Sequence, residues 1–148
     1  MSDGFRFTHD VEVRFRDLDP MGHAHHSLPL IFFEEARARY WREVTGRAAE
    51  SAGYIMGEVQ VRYEERVRFP DRVRVGVRTT RLGTKSFEME YEVRRVGDGT
   101  LLVTGRSVQV LYDYAASASR PMDDDLRRRL AAFENLPLES GRKPEASC

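Results

Sequence analysis

Two aspartates and three histidines lie within ten residues of one another in RFRDLDPMGHAHHSLP, residues 14–29. The five side chains are of types that bind zinc or a redox metal; they are Asp17, Asp19, His23, His25 and His26. Their spacing argues against a metal site, because Pro20 and Gly22 form a turn between them and no metal-binding histidine motif on a helix is present. We therefore predict that this stretch binds no metal.

Two other interpretations of the stretch remain open. It is an ordinary polar turn if the aspartates only accept backbone N–H bonds before a helix, which explains Asp17 best. It is an active-site loop if a carboxylate stands beside the N-terminus of that helix. There the N–H groups at residues 26–28 have no intrahelical partners and, with the helix dipole, can stabilise an oxyanion. That combination suits hydrolysis of an ester or a thioester.

The elements on either side of this stretch can be predicted from hydrophobic periodicity. Val11, Val13 and Phe15 alternate with charged residues, which predicts a half-buried strand that ends at Asp17. From Leu28 onward the apolar residues recur every three to four positions, which predicts a helix of about four turns. Its N-cap and its end are expected at Ser27 and Gly46. Large aromatic residues occupy much of the circumference of the helix and indicate that other elements enclose it.

The rest of the chain alternates in segments that predict four consecutive strands, within residues 59–69, 73–77, 87–93 and 100–113. In the last of them the apolar residues change from odd to even positions, so we expect a bulge near Gly105 that restores one buried face. Residues 122–134 are predicted to form a short amphipathic helix. The expected α+β architecture is a curved antiparallel sheet of five strands around one long helix, plus the C-terminal helix, in a single domain over residues 1–136. Residues 137–148 are expected to form a disordered tail.

Composition excludes several classes of protein. The chain of 148 residues is 41% apolar and 32% charged, as in soluble globular proteins. Its longest apolar run, Leu30 to Phe33, is too short to span a membrane, and no signal peptide is evident, so we expect a cytoplasmic protein with no membrane partner. The net charge is zero and no basic block stands alone, which argues against a nucleic-acid partner. The single cysteine, Cys148, allows no disulfide within the chain.

Two segments, VRFRDLDPMGHAHHSLPLIFFEEAR and LGTKSFEMEYEV, resemble the hotdog-fold acyl-CoA thioesterases of the hydroxybenzoyl-CoA thioesterase type. The pattern of that family is D-x-D-x-x-G-H-V-N-N, then a helix with E-x-A-R and a strand that starts L-G-x-x-S-F. The resemblance covers about residues 9–134. It implies a hotdog fold, hydrolysis of an acyl-CoA to a free acid and coenzyme A, and no cofactor. It also implies a homodimer or homotetramer with active sites at the protomer interface.

The resemblance also assigns roles within the loop. Asp19 matches the catalytic carboxylate, which acts as a nucleophile or a general base, and the N–H of His26 matches the backbone group that polarises the thioester carbonyl, with Ser27 as a second candidate. His25 and His26 stand where the family carries asparagines. For these two side chains and for His23, a catalytic part and simple packing of the loop are both open.

Further substrate contacts are predicted on the helix and the strands. Glu35 is a candidate because a helix carboxylate points to the site in some related thioesterases, although an ion pair with a nearby arginine is the simpler expectation. The phosphates of coenzyme A require cations near the cleft, for which Arg62, Arg81 and Lys85 are candidates. Aromatic residues of the strands, including Tyr63 and Phe69, are expected in the core. A hotdog protein that binds an acyl-CoA or an acyl-carrier protein as a sensor, without hydrolysis, is the alternative function.

Overall fold

The computed structural model describes residues 4–49 and 52–138 and confirms the predicted hotdog architecture. Two helices and one antiparallel sheet follow one another along the chain: β1 (Phe7–Glu12), α1 (Leu28–Thr45), β2 (Tyr54–Tyr63), β3 (Arg72–Leu82), β4 (Ser86–Arg95), β5 (Leu101–Asp113), β6 (Ala118–Ser119) and α2 (Asp124–Glu134). The strand order in the sheet is β1-β3-β4-β5-β2, and the short β6 pairs with the end of β5. No helix of this part of the chain is long and apolar enough to cross a membrane. Of the predicted tail, residues 139–148 lie outside the described residues.

Helix α1 lies on the sheet and supplies much of the core. Its aromatic residues Phe33, Tyr40 and Trp41 are at most 1% exposed, and Phe33 stacks on Tyr91 of β4 at 4.3 Å between ring centres. Burial of such side chains is the main stabilising contribution to the fold. The helix ends at the predicted glycine, because Gly46 takes φ +73°, a conformation that glycine adopts without strain.

Two predicted strand segments are corrected by the structure. The first strand ends at Glu12, and Phe15 lies in a short 3-10 turn with 74% of its surface exposed. Residues 67–69 form no strand but part of a loop, in which Val67 is buried while Phe69 is 46% exposed. Alternation of apolar residues predicted strands at both places. The first segment instead belongs to the loop that leads to α1, and the second to the loop that leads to β3.

The irregularity in β5 also differs from the prediction. Gly105 pairs regularly with Val61 and Tyr91, and the register shifts at Leu102 instead. The face toward α1 carries Val103 together with the polar residues Ser107 and Gln109, while Val108 and Val110 lie on the other face. Gly105 also lies on the face toward α1, where a Cβ atom would lie 2.5 Å from Cε2 of Phe33. The missing side chain therefore makes room for the central aromatic ring of the helix.

The outer face of the sheet is covered by ion pairs between neighbouring strands. Arg78 donates to Glu90, Arg81 to Glu88 and Arg74 to Asp10. One edge of the sheet, strand β2, has no neighbouring strand beyond it within the described chain. Its apolar residues Met56 and Val59 are each 39% exposed.

Candidate active site

The loop between β1 and α1 is a closed turn that presents the carboxylate of Asp19. The N–H of Asp19 donates to the carbonyl of His23 at 2.7 Å, and the N–H of Gly22 donates to the carbonyl of Asp19 at 2.9 Å. Gly22 has φ +79°, which allows the chain to reverse. A bond of 3.2 Å from the N–H of Ala24 to the carbonyl of Val67 fixes this turn to the loop that follows β2.

One oxygen of the Asp19 carboxylate is occupied and the other is open. Oδ1 accepts hydrogen bonds from the N–H of Met21 at 2.9 Å and of His23 at 3.1 Å. These bonds, that of His23 first, hold the pKa of Asp19 below its ordinary value of 3.8, so the group is ionised at neutral pH. Oδ2 has no hydrogen-bond partner among the described residues. Asp19 therefore offers a fixed, negatively charged oxygen.

The backbone around His26 is held at every polar atom except one. The carbonyl of His25 accepts from the N–H of Leu28 at 2.9 Å, and the carbonyl of His26 accepts from the hydroxyl of Tyr63 at 2.5 Å. The N–H of Ser27 donates to Nδ1 of His25 at 3.1 Å. The N–H of His26 has no acceptor in the described chain. It is thus a free backbone donor of fixed orientation, the kind of group that forms an oxyanion hole.

The three loop histidines have local partners. Nδ1 of His25 accepts from both the N–H and the hydroxyl of Ser27, which requires that this nitrogen carry no proton, and its ring stacks on that of His26 at 4.2 Å. Nε2 of His23 accepts from Arg66. Within residues 4–49 and 52–138, no three side chains of the metal-binding types lie close enough to hold a metal ion.

The two residues that carry these open groups line one cavity. Asp19 and His26 border a space of about 390 Å³ that continues along Tyr63 and Arg66. An anionic oxygen and a free N–H donor at one cavity can serve the two needs of acyl transfer, which are attack on a carbonyl and stabilisation of the oxyanion that forms. His23 and His25 line the same space.

The predicted contacts next to the loop and on the helix are engaged elsewhere. Ser27 lies at the predicted N-cap, but its hydroxyl makes no capping bond and its N–H is occupied by His25. Glu35 Oε2 lies 3.0 Å from Nε2 of His9 and 3.7 Å from Nε of Arg39, in a surface ion pair. Within one protomer, neither residue lines the cavity of the loop.

The three predicted phosphate contacts also lie away from this cavity. Arg62 is on the outer face of β2 and Arg81 pairs with Glu88 at 2.8 Å, while Lys85 lies in the turn between β3 and β4. Within a single protomer the fold does not bring them to Asp19.

Sequence reasoning missed Tyr63 and Arg66. Alternation along β2 placed Tyr63 in the core, whereas its side chain is 54% exposed and its hydroxyl holds the His26 carbonyl. Arg66, beyond the end of β2, donates to His23 across the cavity. No sequence motif marks either residue, since both act through contacts that only the packing of the two loops creates.

A curved antiparallel sheet around one long helix, with an acidic loop at the N-terminus of that helix, is the arrangement of the hotdog thioesterases. The family model described as the thioesterase-like superfamily matches residues 13–130. The chain belongs to the thioesterase-like superfamily. The predicted family and the predicted class of enzyme, a thioester hydrolase, are thereby confirmed.

Three individual proteins are similar to this chain. A structure from Thermus thermophilus, described as a thioesterase complexed with coenzyme A and Zn, is 33% identical. It matches 92% of this chain and 99% of that chain with a TM-score of 0.84. The PA5185 protein of Pseudomonas aeruginosa PAO1 is 26% identical over 95% of this chain and 96% of its own, with a TM-score of 0.78. An uncharacterised Bacillus subtilis protein, YsmA, is 28% identical over 72% of each chain.

Proposed function

We propose that the protein hydrolyses an acyl-CoA thioester to a free carboxylic acid and coenzyme A. The observation that supports this most directly is that Asp19, which has an open carboxylate oxygen, and His26, which has a free N–H, border one cavity. Coenzyme A is bound in the similar Thermus thermophilus structure, which favours coenzyme A as the carrier of the acyl group.

In the proposed reaction, the thioester carbonyl oxygen accepts a hydrogen bond from the N–H of His26, which stabilises the negative charge that develops there. Asp19 acts in one of two ways. As a nucleophile, its carboxylate displaces the thiolate and forms an anhydride, which water then hydrolyses. As a general base, it takes a proton from a water molecule that attacks the carbonyl carbon directly. Both routes release the carboxylic acid and the thiol, and both require the ionised form of Asp19.

The proposed functional unit is a dimer that pairs its two β2 edges. An uncovered edge strand of ten residues is a ready site for strand pairing, and apolar side chains at Met56 and Val59 are exposed along it. Leu30 and Ile31 on α1 are exposed as well, at 39% and 52%. Joining the two edges would satisfy the free backbone groups and cover part of this apolar surface.

Within one protomer, Arg66 is the cation that lines the cavity of Asp19. We therefore add it to the proposed contacts of the anionic coenzyme A. Arg62, Arg81 and Lys85 stay predictions, to be tested as contacts with a phosphate group that leaves the cavity.

The test is thiol release from a panel of short-chain, long-chain and aromatic acyl-CoAs, with Asp19→Asn beside the wild type. Asparagine keeps the Oδ1 acceptor for Met21 and His23, so the turn persists while the charged oxygen is lost. Activity is expected to fall at least about a hundredfold. Asp17→Asn is the matched control, because among the described residues the side chain of Asp17 accepts only the N–H of Arg14, at 2.8 Å, and lies outside the residues that line the cavity.

Near-normal activity of Asp19→Asn would contradict the assignment of Asp19. A wild-type protein that binds acyl-CoA but releases no thiol from any member of the panel would instead support the alternative, a sensor that binds acyl-CoA or an acyl-carrier protein.

A further inference from the structure

A second polar site lies on α1, centred on Arg37. This side chain is half-buried. No carboxylate oxygen of the described residues lies within 4.0 Å of its guanidinium nitrogens, so it forms no ion pair with them. Its partners are two tyrosine hydroxyls, that of Tyr54 at 3.2 Å from Nε and that of Tyr91 at 3.1 Å from Nη1. A partly buried cation with only neutral partners retains a strong preference for an anion.

The hydrogen bonds beyond Tyr91 run in one direction. Nε2 of Gln109 donates to the carbonyl of Phe87, and Ser107 donates its hydroxyl proton to Oε1 of Gln109. Ser107 therefore accepts from Tyr91 at 2.6 Å, and Tyr91 in turn accepts from Arg37. On this side the hydroxyl protons of Tyr91 and Ser107 are both used, so Tyr91 holds the guanidinium in place and has no proton left for a ligand.

The side toward Tyr54 is different, because some hydrogen-bond donors there have no acceptor in the described chain. The hydroxyl of Tyr54 accepts from Arg37, and its own proton has no acceptor in the described chain. Nη2 of Arg37 is likewise without an acceptor there. Arg37 and Tyr54 line a cavity of about 390 Å³ whose other walls include the small or apolar residues Ala38, Ala52 and Met56. Free N–H and O–H donors around one positive charge match a carboxylate group.

Strand β2 relates this cavity to the first one. Tyr54 begins β2 at the Arg37 cavity, and Tyr63 ends β2 at the cavity of Asp19. In an antiparallel pair that two β2 strands form along their full length about a two-fold axis, Tyr54 lies opposite Tyr63 of the partner subunit. The Arg37 cavity of one protomer then adjoins the catalytic loop of the other.

We propose that Arg37 and Tyr54 bind a carboxylate at the far end of the acyl group whose thioester is cleaved at the partner's loop. The substrate class is then an acyl-CoA that carries a second carboxylate on its acyl chain. This inference rests on the proposed hydrolysis and dimer for its catalytic meaning, but the anion site itself can be measured without turnover.

The first test is calorimetric binding of free dicarboxylates of increasing length, with their dimethyl esters as uncharged probes. Arg37→Gln should weaken dicarboxylate binding at least about tenfold. Glu34 also lines the cavity, so Glu34→Gln removes a competing negative charge and should strengthen binding; this exposed residue keeps the test valid should Arg37→Gln fold poorly. Arg42→Gln, an exposed change on the same helix, should change nothing.

Equal binding of diacid and dimethyl ester by the wild type, or no gain with Glu34→Gln, would overturn the proposed site. Dicarboxylate binding that depends on Arg37, in a protein that releases no thiol, would refute the hydrolase function and leave the anion site standing.

The second test asks which subunit supplies Arg37. Asp19→Asn and Arg37→Gln are co-expressed with different tags, and the mixed dimer is assayed with an ω-carboxyacyl-CoA. If each site combines Asp19 of one protomer with Arg37 of the other, both substitutions fall in one of the two sites and the other site is intact. The purified mixed dimer should then have about half of wild-type activity. A mixed dimer no more active than its parents would show that Arg37 does not serve the partner's site, and would overturn the proposal.

Discussion

The hydroxyl of Tyr63 fixes the backbone of the proposed oxyanion donor, and Tyr63→Phe tests that role by removing one atom. The hydroxyl donates to the carbonyl of His26 at 2.5 Å, from the last residue of β2. The phenyl ring of the variant can keep the position of the tyrosine ring. The change therefore isolates one hydrogen bond between the edge strand and the loop of the proposed active site.

The expected magnitude follows from that single bond. A hydrogen bond between neutral groups contributes about 0.5–1.5 kcal/mol net, which corresponds to roughly two- to tenfold in a rate if the bond acts fully in the transition state. Since Tyr63 touches the loop behind the donor, the loss should appear in kcat. KM should change little. The side chain is 54% exposed, so the free energy of unfolding should fall by less than about 1 kcal/mol.

The assay is thiol release over a range of substrate concentrations, with thermal unfolding measured on the same preparations. Tyr112→Phe is a matched control, because Tyr112 lines neither the cavity of Asp19 nor that of Arg37. An unchanged kcat in Tyr63→Phe would refute the role of the hydroxyl as the support of the oxyanion donor. A loss confined to KM would place Tyr63 in substrate binding instead.

Three further predictions concern the packing and the titration of the protein. Gly105→Ala places a Cβ atom 2.5 Å from Phe33 and should lower the free energy of unfolding by about 1–3 kcal/mol in urea denaturation. Burial raises the pKa of Glu134 above its ordinary 4.5, so wild-type stability should fall relative to Glu134→Gln as the pH rises above that value; parallel stability curves would contradict this. Backbone hydrogen bonds lower the pKa of Asp19 below 3.8, so kcat/KM should fall on the acid side only below that pH. A fall in kcat/KM near pH 6 would assign the essential base elsewhere.

The sequence predicts the fold well where one face of an element is apolar. The period of α1 and its end at Gly46 are read correctly because burial and a left-handed glycine each leave a mark in the residue types. In β5 the same reasoning is wrong, since Ser107 and Gln109 are buried on the face toward α1. They are tolerated there because they hydrogen-bond to one another and to the main chain. The alternation of apolar residues in the sequence cannot reveal such a hydrogen-bond network.

Some residues of the candidate site could be predicted from the sequence and others could not. The motif locates Asp19 and the helix N-terminus because they are close in sequence. Tyr63, Arg66 and Arg37 could not be assigned in this way, since their partners are 17 to 54 residues away in the sequence and meet them only after the sheet and the loops have packed. Arg37 is the arginine of the E-x-A-R pattern, but the pattern assigns it no anion-binding role. Its lack of a carboxylate partner is visible only when every neighbouring side chain has been placed.

His25 and His26 stand where the resembling family carries asparagines, and both side chains contribute to the contacts within the turn. Nδ1 of His25 accepts the N–H of Ser27, and the ring of His26 stacks on that of His25. The proposed oxyanion donor is a main-chain group, the N–H of His26, whose neighbouring atoms are held by Leu28 and Tyr63. A side chain at position 25 therefore needs only an acceptor within reach of the Ser27 N–H. Because the proposed chemistry requires the carboxylate of Asp19 and a backbone N–H, the two histidines can replace asparagines without removing either group.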